Sequence, residues 1–152
     1  MRARVSGKEI FTHDGIRDTL THLAAPPYFY ESLKRQISKS NRSVEPFSII
    51  RFVIECRGIT HEEAIVIFAE AVKRSFRLED LIARTGVLEF AVIFEGELPL
   101  AQTVSQRFIS KWCTEGNEGV TVSYSIAQRY AGEKALDLLN RLDTQTLLAP
   151  TF

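Results

Sequence analysis

Sulfur, histidine and unbroken apolar stretches are all scarce in this chain. Its 152 residues include two cysteines, Cys56 and Cys113, one methionine and three histidines. Two cysteines far apart in apolar contexts exclude a disulfide framework and suit free, buried thiols in a reducing cytoplasm. His13, His22 and His61 are scattered without ligand spacing, so no zinc pattern arises. Neither a Walker-type phosphate loop nor a Ser-His-Asp set can be assembled. No apolar run approaches ~18 residues, which excludes a membrane-spanning helix. Met1 to Lys8 is basic but no apolar core follows it, so a secretory leader is not expected. Nor does either charge dominate. With 19 basic and 19 acidic residues, the net charge of zero offers no global field to recruit nucleic acid or a membrane surface.

What remains is an ordinary globular composition, 45% hydrophobic and 25% charged. The length predicts one domain, residues 14–152, behind an N-terminal extension over 1–13. Asp14 can cap a first helix through Ile16, Leu20 and Leu23. Pro26 and Pro27 end it and open a second, with Phe29, Leu33 and Ile37 on one face. Ser38 to Glu45 reads as a polar loop. Phe47 to Cys56 is β-branched and aromatic, a buried strand. Thr60-His-Glu-Glu63 is a capping box opening a helix with Ile65, Phe68, Ala69, Val72 and Phe76 on one stripe. Asp80–Arg84 and Leu88–Phe94 read as strands about a tight turn at Thr85-Gly86. A helix follows Pro99, a half-buried alternating strand runs from Gly119 to Ala127, and a last helix carries Ala135, Leu138, Leu139 and Leu142. The expected order ααβαββαβα gives an α/β (α+β) sandwich around a largely antiparallel sheet.

Punctuation alone does not select a fold family; a set of ordered motifs does. Arg77-Leu-Glu-Asp80 is followed, after five residues, by Gly86-Val-Leu-Glu89-Phe90. Asp18-Thr-Leu20-Thr21-His-Leu23 stands near the start, Asp80-Leu-Ile-Ala-Arg84 before the hairpin, Thr121-Val-Ser123-Tyr-Ser125-Ile-Ala127 later, and Leu138-Leu-Asn-Arg141-Leu-Asp143 near the end. Together these resemble the RxxD, GGDEF, D-x-L-T, D-x-x-x-R, T-V-S-I-G-V-A and L-L-x-R-A-D motifs of the bacterial GGDEF (diguanylate cyclase) family. The resemblance covers roughly residues 18–149. It implies a nucleotidyl-cyclase, palm-like fold and a place in cyclic di-GMP signalling.

The same resemblance implies that catalysis is lost. Family members join two GTP molecules into cyclic di-GMP around a metal held by carboxylates. The metal aspartate of the first strand falls on Val53, leaving only Glu55 of a D-x-D pair. In the signature, Gly86 survives, but Val87 replaces a glycine that lets backbone approach phosphate, and Leu88 replaces an acid. Glu89 alone remains. Glu55 and Glu89 are the weak residual metal candidates, although an isolated acid at a strand end is more often solvated or salt-bridged. The guanine-reading segment after the strand is shortened to Arg57-Gly-Ile-Thr60, with Glu62 a loose match for its acid. The phosphate-binding lysine falls on Pro150. No catalytic residue and no cofactor are therefore assigned.

The RxxD pair is intact. In the family it belongs to an inhibitory site for cyclic di-GMP, and its chemistry is reasonable here. An arginine fork can donate to the guanine O6/N7 edge or to phosphate, and a carboxylate can accept from guanine N1 and N2. Arg107, on the helix after the hairpin, falls at about the position of a second family arginine. Three functions stay open. The first is an inactive, cytoplasmic module sensing cyclic di-GMP through Arg77, Asp80 and Arg107. The second is a ligand-free scaffold for dimerisation or protein docking, with Arg77 and Asp80 a surface ion pair worth ~0–1 kcal/mol. An active cyclase is the third.

Overall fold

The computed structural model describes residues 11–117 and 119–150, which form four helices and a four-stranded sheet. In chain order these are α1 (Pro26–Ser43), β1 (Ser48–Cys56), α2 (His61–Ser75), β2 (Leu81–Gly86), β3 (Glu89–Phe94), α3 (Leu98–Thr114), β4 (Val120–Gln128) and α4 (Ala135–Thr144). The strands order as β2-β3-β1-β4, and each neighbouring pair is antiparallel. The expected α+β sandwich, with its antiparallel hairpin inside the sheet, is what the chain forms. Most of the expected extension, residues 1–10, lies outside the described residues.

Side-chain alternation divides the core between the two faces of the sheet. Ile50, Phe52 and Ile54 of β1 point toward α2 and α3, into an aromatic cluster with Phe68, Phe76, Phe90, Phe108 and Trp112. Phe52 meets Phe68 edge-on at 5.6 Å between ring centroids, the geometry that the ring quadrupoles favour. On the other face Ile49, Ala91, Ile93 and Ala127 pack beneath Phe29 and Leu33 of α1 and Leu138 and Leu142 of α4. Of the expected capping box, the Thr60 half forms, its hydroxyl accepting from the Glu63 amide at 3.1 Å.

Three local expectations are corrected. No helix forms between Asp14 and Leu23; the segment is a series of turns and short bridges. Asp14 Oδ1 accepts from the Ile16 and Arg17 amides at 2.9 and 2.7 Å, and Asp18 Oδ2 from the Thr21 amide and hydroxyl at 2.8 and 2.7 Å. Such side-chain turns compete directly with the helical ladder. Ala24 then donates to Ile82 O and accepts from the Arg84 amide, so the segment covers the free edge of β2. Ser38 to Ser43 is not a loop but the end of α1, its polar residues lying on the outer side of an amphipathic helix. The hairpin turn is Val87-Leu88 rather than Thr85-Gly86, and neither residue has positive φ, so the turn itself needs no second glycine. Gly86 is constrained differently: a Cβ there would sit 3.2 Å from Glu89 Cβ. Cys56 and Cys113 are free and half-buried, and burial pushes the Cys56 thiol above its ordinary value.

Candidate functional site

The loop between α2 and β2 is built around one carboxylate. Phe76 anchors its start in the aromatic core, and the Asp80 amide donates to Arg77 O at 3.1 Å, closing a four-residue turn. Asp80 Oδ2 accepts from the Arg77 amide and from Arg77 Nε, both at 3.1 Å, while Oδ1 accepts from Arg77 Nη2 at 3.1 Å. Arg77 Nη2 also donates to Glu95 O at 3.0 Å, and the guanidinium lies 4.8 Å from the centroid of the Phe94 ring. The bidentate hydrogen bond to Asp80 pushes the Arg77 guanidinium above its ordinary value. The two members of the pair differ sharply in access: the Arg77 side chain is 46% exposed and that of Asp80 only 1%. Asp80 therefore sits under Arg77 and aims it outward.

Arg77 and Asp80 line one wall of a cavity of about 390 Å³, and Arg107 on α3 lines it too. All three binding-site candidates thus face one hollow, floored by Phe94, Val104 and Phe108. Two further cations, Arg74 and Lys111, line the same cavity. Sequence reasoning passed over them; Lys111 follows Arg107 by one helical turn, which was the available signal, whereas Arg74 in the last turn of α2 and Arg77 beyond its end share no helix.

The positions that the family resemblance marks as degenerate lie elsewhere, on β1 and on the hairpin. Val53 pairs with Glu89 across the ladder, and Val87 and Leu88 make the turn. Glu89 is not free. Its Oε1 accepts from Arg51 Nε and Nη2 at 3.1 and 2.9 Å, and its Oε2 from the Thr85 hydroxyl at 2.9 Å. Arg51 Nε also lies 3.6 Å from Asp143 Oδ1. Arg51 and Glu89 border a second cavity of about 300 Å³ with Phe29, Tyr30 and Leu139. Glu55 stands two residues past Val53, opposite Thr121 and beyond the β3 ladder, and is exposed. Glu62 is exposed in the first turn of α2. Pro150 lines a separate hollow beside Trp112 and Val122. Among the described residues, no cluster of three His, Cys, Asp or Glu side chains is arranged to hold a metal ion.

Two of the remaining motif arginines are structural. Arg84 Nη1 donates to Asp18 Oδ1 and Oδ2 at 3.0 and 3.3 Å, and Nη2 to Val87 O at 2.9 Å. Arg141 binds Glu133 through Nε and Nη2 at 3.0 and 2.9 Å, and Nη2 also donates to Gln128 O. The first ties the opening segment to the hairpin; the second ties α4 to the end of β4.

No family sequence model matches the chain, and no curated protein matches it. Solved structures do. The GGDEF domain of DgcB from Caulobacter crescentus, in complex with c-di-GMP, superposes with a TM-score of 0.75 at 22% identity, over 87% of this chain and 88% of that one. The FimX GGDEF domain from Pseudomonas aeruginosa gives 0.69 at 23% identity, over 84% and 88%. Diguanylate cyclase SiaD from Pseudomonas aeruginosa, in complex with its activator SiaC, gives 0.73 at 23% identity, over 84% of this chain and 55% of that one. The chain has the fold of GGDEF domains.

Proposed function

We propose that this chain is a catalytically inactive GGDEF-type module of the cytoplasm that binds cyclic di-GMP through Arg77, Asp80 and Arg107. The observation that carries the reading is their convergence on one cavity of about 390 Å³, with the half-exposed Arg77 side chain fixed by a buried carboxylate that takes its Nε and Nη2. A pre-oriented guanidinium loses little freedom when it meets a guanine edge or a phosphate. Arg77 makes the contact, Asp80 orients it, and Arg107 adds a charge from α3. The DgcB domain of the same fold was solved with c-di-GMP bound, which makes that ligand the first to try.

Inactivity rests on the other site. Valine and leucine cannot coordinate Mg²⁺, and Glu89 already carries a guanidinium and a hydroxyl. Calorimetric titration of the purified chain with cyclic di-GMP tests the binding reading. Saturable heat that disappears in Arg77→Ala supports it. No saturation at ~100 μM ligand rejects it in favour of a docking or dimerisation scaffold.

A further inference from the structure

The cavity around Arg77 holds more positive charge than a guanine-reading pair requires. Arg74, Arg77, Arg107 and Lys111 all line it, against the single carboxylate of Asp80, whose two oxygens are taken by Arg77. Arg74, Arg107 and Lys111 have no carboxylate within salt-bridge distance among the described residues. Arg74 and Lys111 do lie in the last turns of α2 and α3, where the helix dipole favours cations. That explains a basic residue at each helix end. It does not explain why both ends, and Arg107 one turn earlier, turn their charge into one hollow of a chain with zero net charge. Like charges four residues apart on a helix repel, and so do like charges facing across a cleft; an anion in the cleft relieves both. Phe94, Val104 and Phe108 give the hollow an apolar lining beneath these cations.

We propose that Arg74, Arg107 and Lys111 read phosphate, so that the site requires a ligand combining a guanine with at least two phosphate groups. The inference rests on the guanine-nucleotide reading of the Arg77 site and narrows its ligand class. A cyclic guanine dinucleotide and a linear guanosine polyphosphate share this chemistry. Arg74 and Lys111 are the specificity-determining additions, since neither belongs to the RxxD pair.

The test is calorimetry on the full chain with three probes: cyclic di-GMP, GTP and GMP. At least one of the first two binds, and GMP binds about tenfold more weakly or not at all. Arg74→Gln and Lys111→Gln each weaken the bound ligand about threefold to tenfold, and the double variant loses part of the salt sensitivity seen between ~50 and ~500 mM NaCl. GMP binding as well as its polyphosphate relatives overturns the inference. So does full cyclic di-GMP affinity in the Arg74→Gln/Lys111→Gln double variant; if that binding still disappears in Arg77→Ala, the cyclic di-GMP reading survives alone. Binding of GTP but not cyclic di-GMP, dependent on Arg74 and Lys111, supports the phosphate-reading class and rejects the cyclic ligand. No binding of any probe rejects both.

Discussion

Arg51 reaches across the β1–β3 ladder and donates from Nε and Nη2 to one oxygen of Glu89, at 3.1 and 2.9 Å. The one acid left in the hairpin signature is thereby neutralised by a side chain of its own sheet. A guanidinium at this distance meets the charge a divalent cation would otherwise meet, and Asp143 on its other side completes a local cluster. On the proposed inactive reading, Val53, Leu88 and the pairing of Glu89 are consistent with each other: without metal ligands beside it, the acid is steadier with a cation supplied from within.

Purified protein incubated with GTP and Mg²⁺ or Mn²⁺ is expected to make no cyclic di-GMP. The single reversion Leu88→Asp is expected to stay silent as well, because Val53 still offers no ligand and Arg51 still holds Glu89. Chromatography of the nucleotide products checks both. Cyclic di-GMP appearing in either reaction contradicts the prediction.

The Asp18–Arg84 pair is fully buried, both side chains being 0% exposed. Removing Asp18 deletes its two hydrogen bonds from the buried Arg84 guanidinium and its two from Thr21, and breaking a buried pair of this kind typically costs about 3–5 kcal/mol. Asp18→Ala is therefore expected to lower the denaturant midpoint strongly, by that order of free energy. Glu31→Ala, which breaks the exposed Lys34–Glu31 pair, should change stability by less than about 1 kcal/mol. Comparable losses in the two variants would show that the buried pair does not hold the opening segment to the hairpin.

Glu133 carries a pH signature. The hydrogen bond from Arg141 holds its carboxyl below the usual range, more than burial raises it. A depressed carboxylate contributes stability that is fully present above its unfolded value of about 4.3 and is lost as pH falls through the lower folded value. Glu133→Gln should thus cost about 1–2 kcal/mol near pH 6, and the gap to wild type should narrow below pH ~4. Urea midpoints of the two proteins at pH 6 and pH 3 check the sign. A gap that widens in acid rules out this assignment.

Much of the fold was legible because single residues act locally. The β-branched run of β1 and the Thr60 cap announce themselves without tertiary help. The failure at Asp14 to Leu23 has the opposite cause. Ile16, Leu20 and Leu23 keep helical spacing, but Asp14 and Asp18 spend their side chains on local turns, and the backbone of Ala24 is claimed by β2. The Asp18–Arg84 pair spans 66 positions of sequence, which no periodicity reveals. At the candidate site, Arg77 and Asp80 were singled out by their resemblance to a family motif, and Arg107 by its approximate place in the same resemblance. Arg74 and Lys111 join them only once the ends of α2 and α3 meet beside the hairpin. Arg51 read as an ordinary strand residue; that it shares a face with Val53 and Glu55 was the available signal, and its pairing with Glu89 needed the register of β3.

The Arg77–Asp80 geometry makes a graded prediction for cyclic di-GMP binding. Arg77→Ala deletes a half-exposed guanidinium and the charge it brings to the cavity, so it should cost about 1.5–3 kcal/mol, a tenfold or greater loss of affinity. Asp80→Asn keeps the shape but replaces a charged acceptor that Arg77 grips through Nε, Nη2 and its amide. Because Asp80 is buried beneath Arg77, its effect passes through the orientation of the guanidinium, and the loss should be smaller yet clear. Arg107→Ala removes a charge that α3 brings to the cavity and makes no bond to that pair, so its loss should add to that of Asp80→Asn rather than merge with it. Calorimetry on the three single variants and the Asp80→Asn/Arg107→Ala double variant decides the point. An Asp80→Asn loss as large as that of Arg77→Ala would mean that the carboxylate meets the ligand itself, with Arg77 displaced on binding.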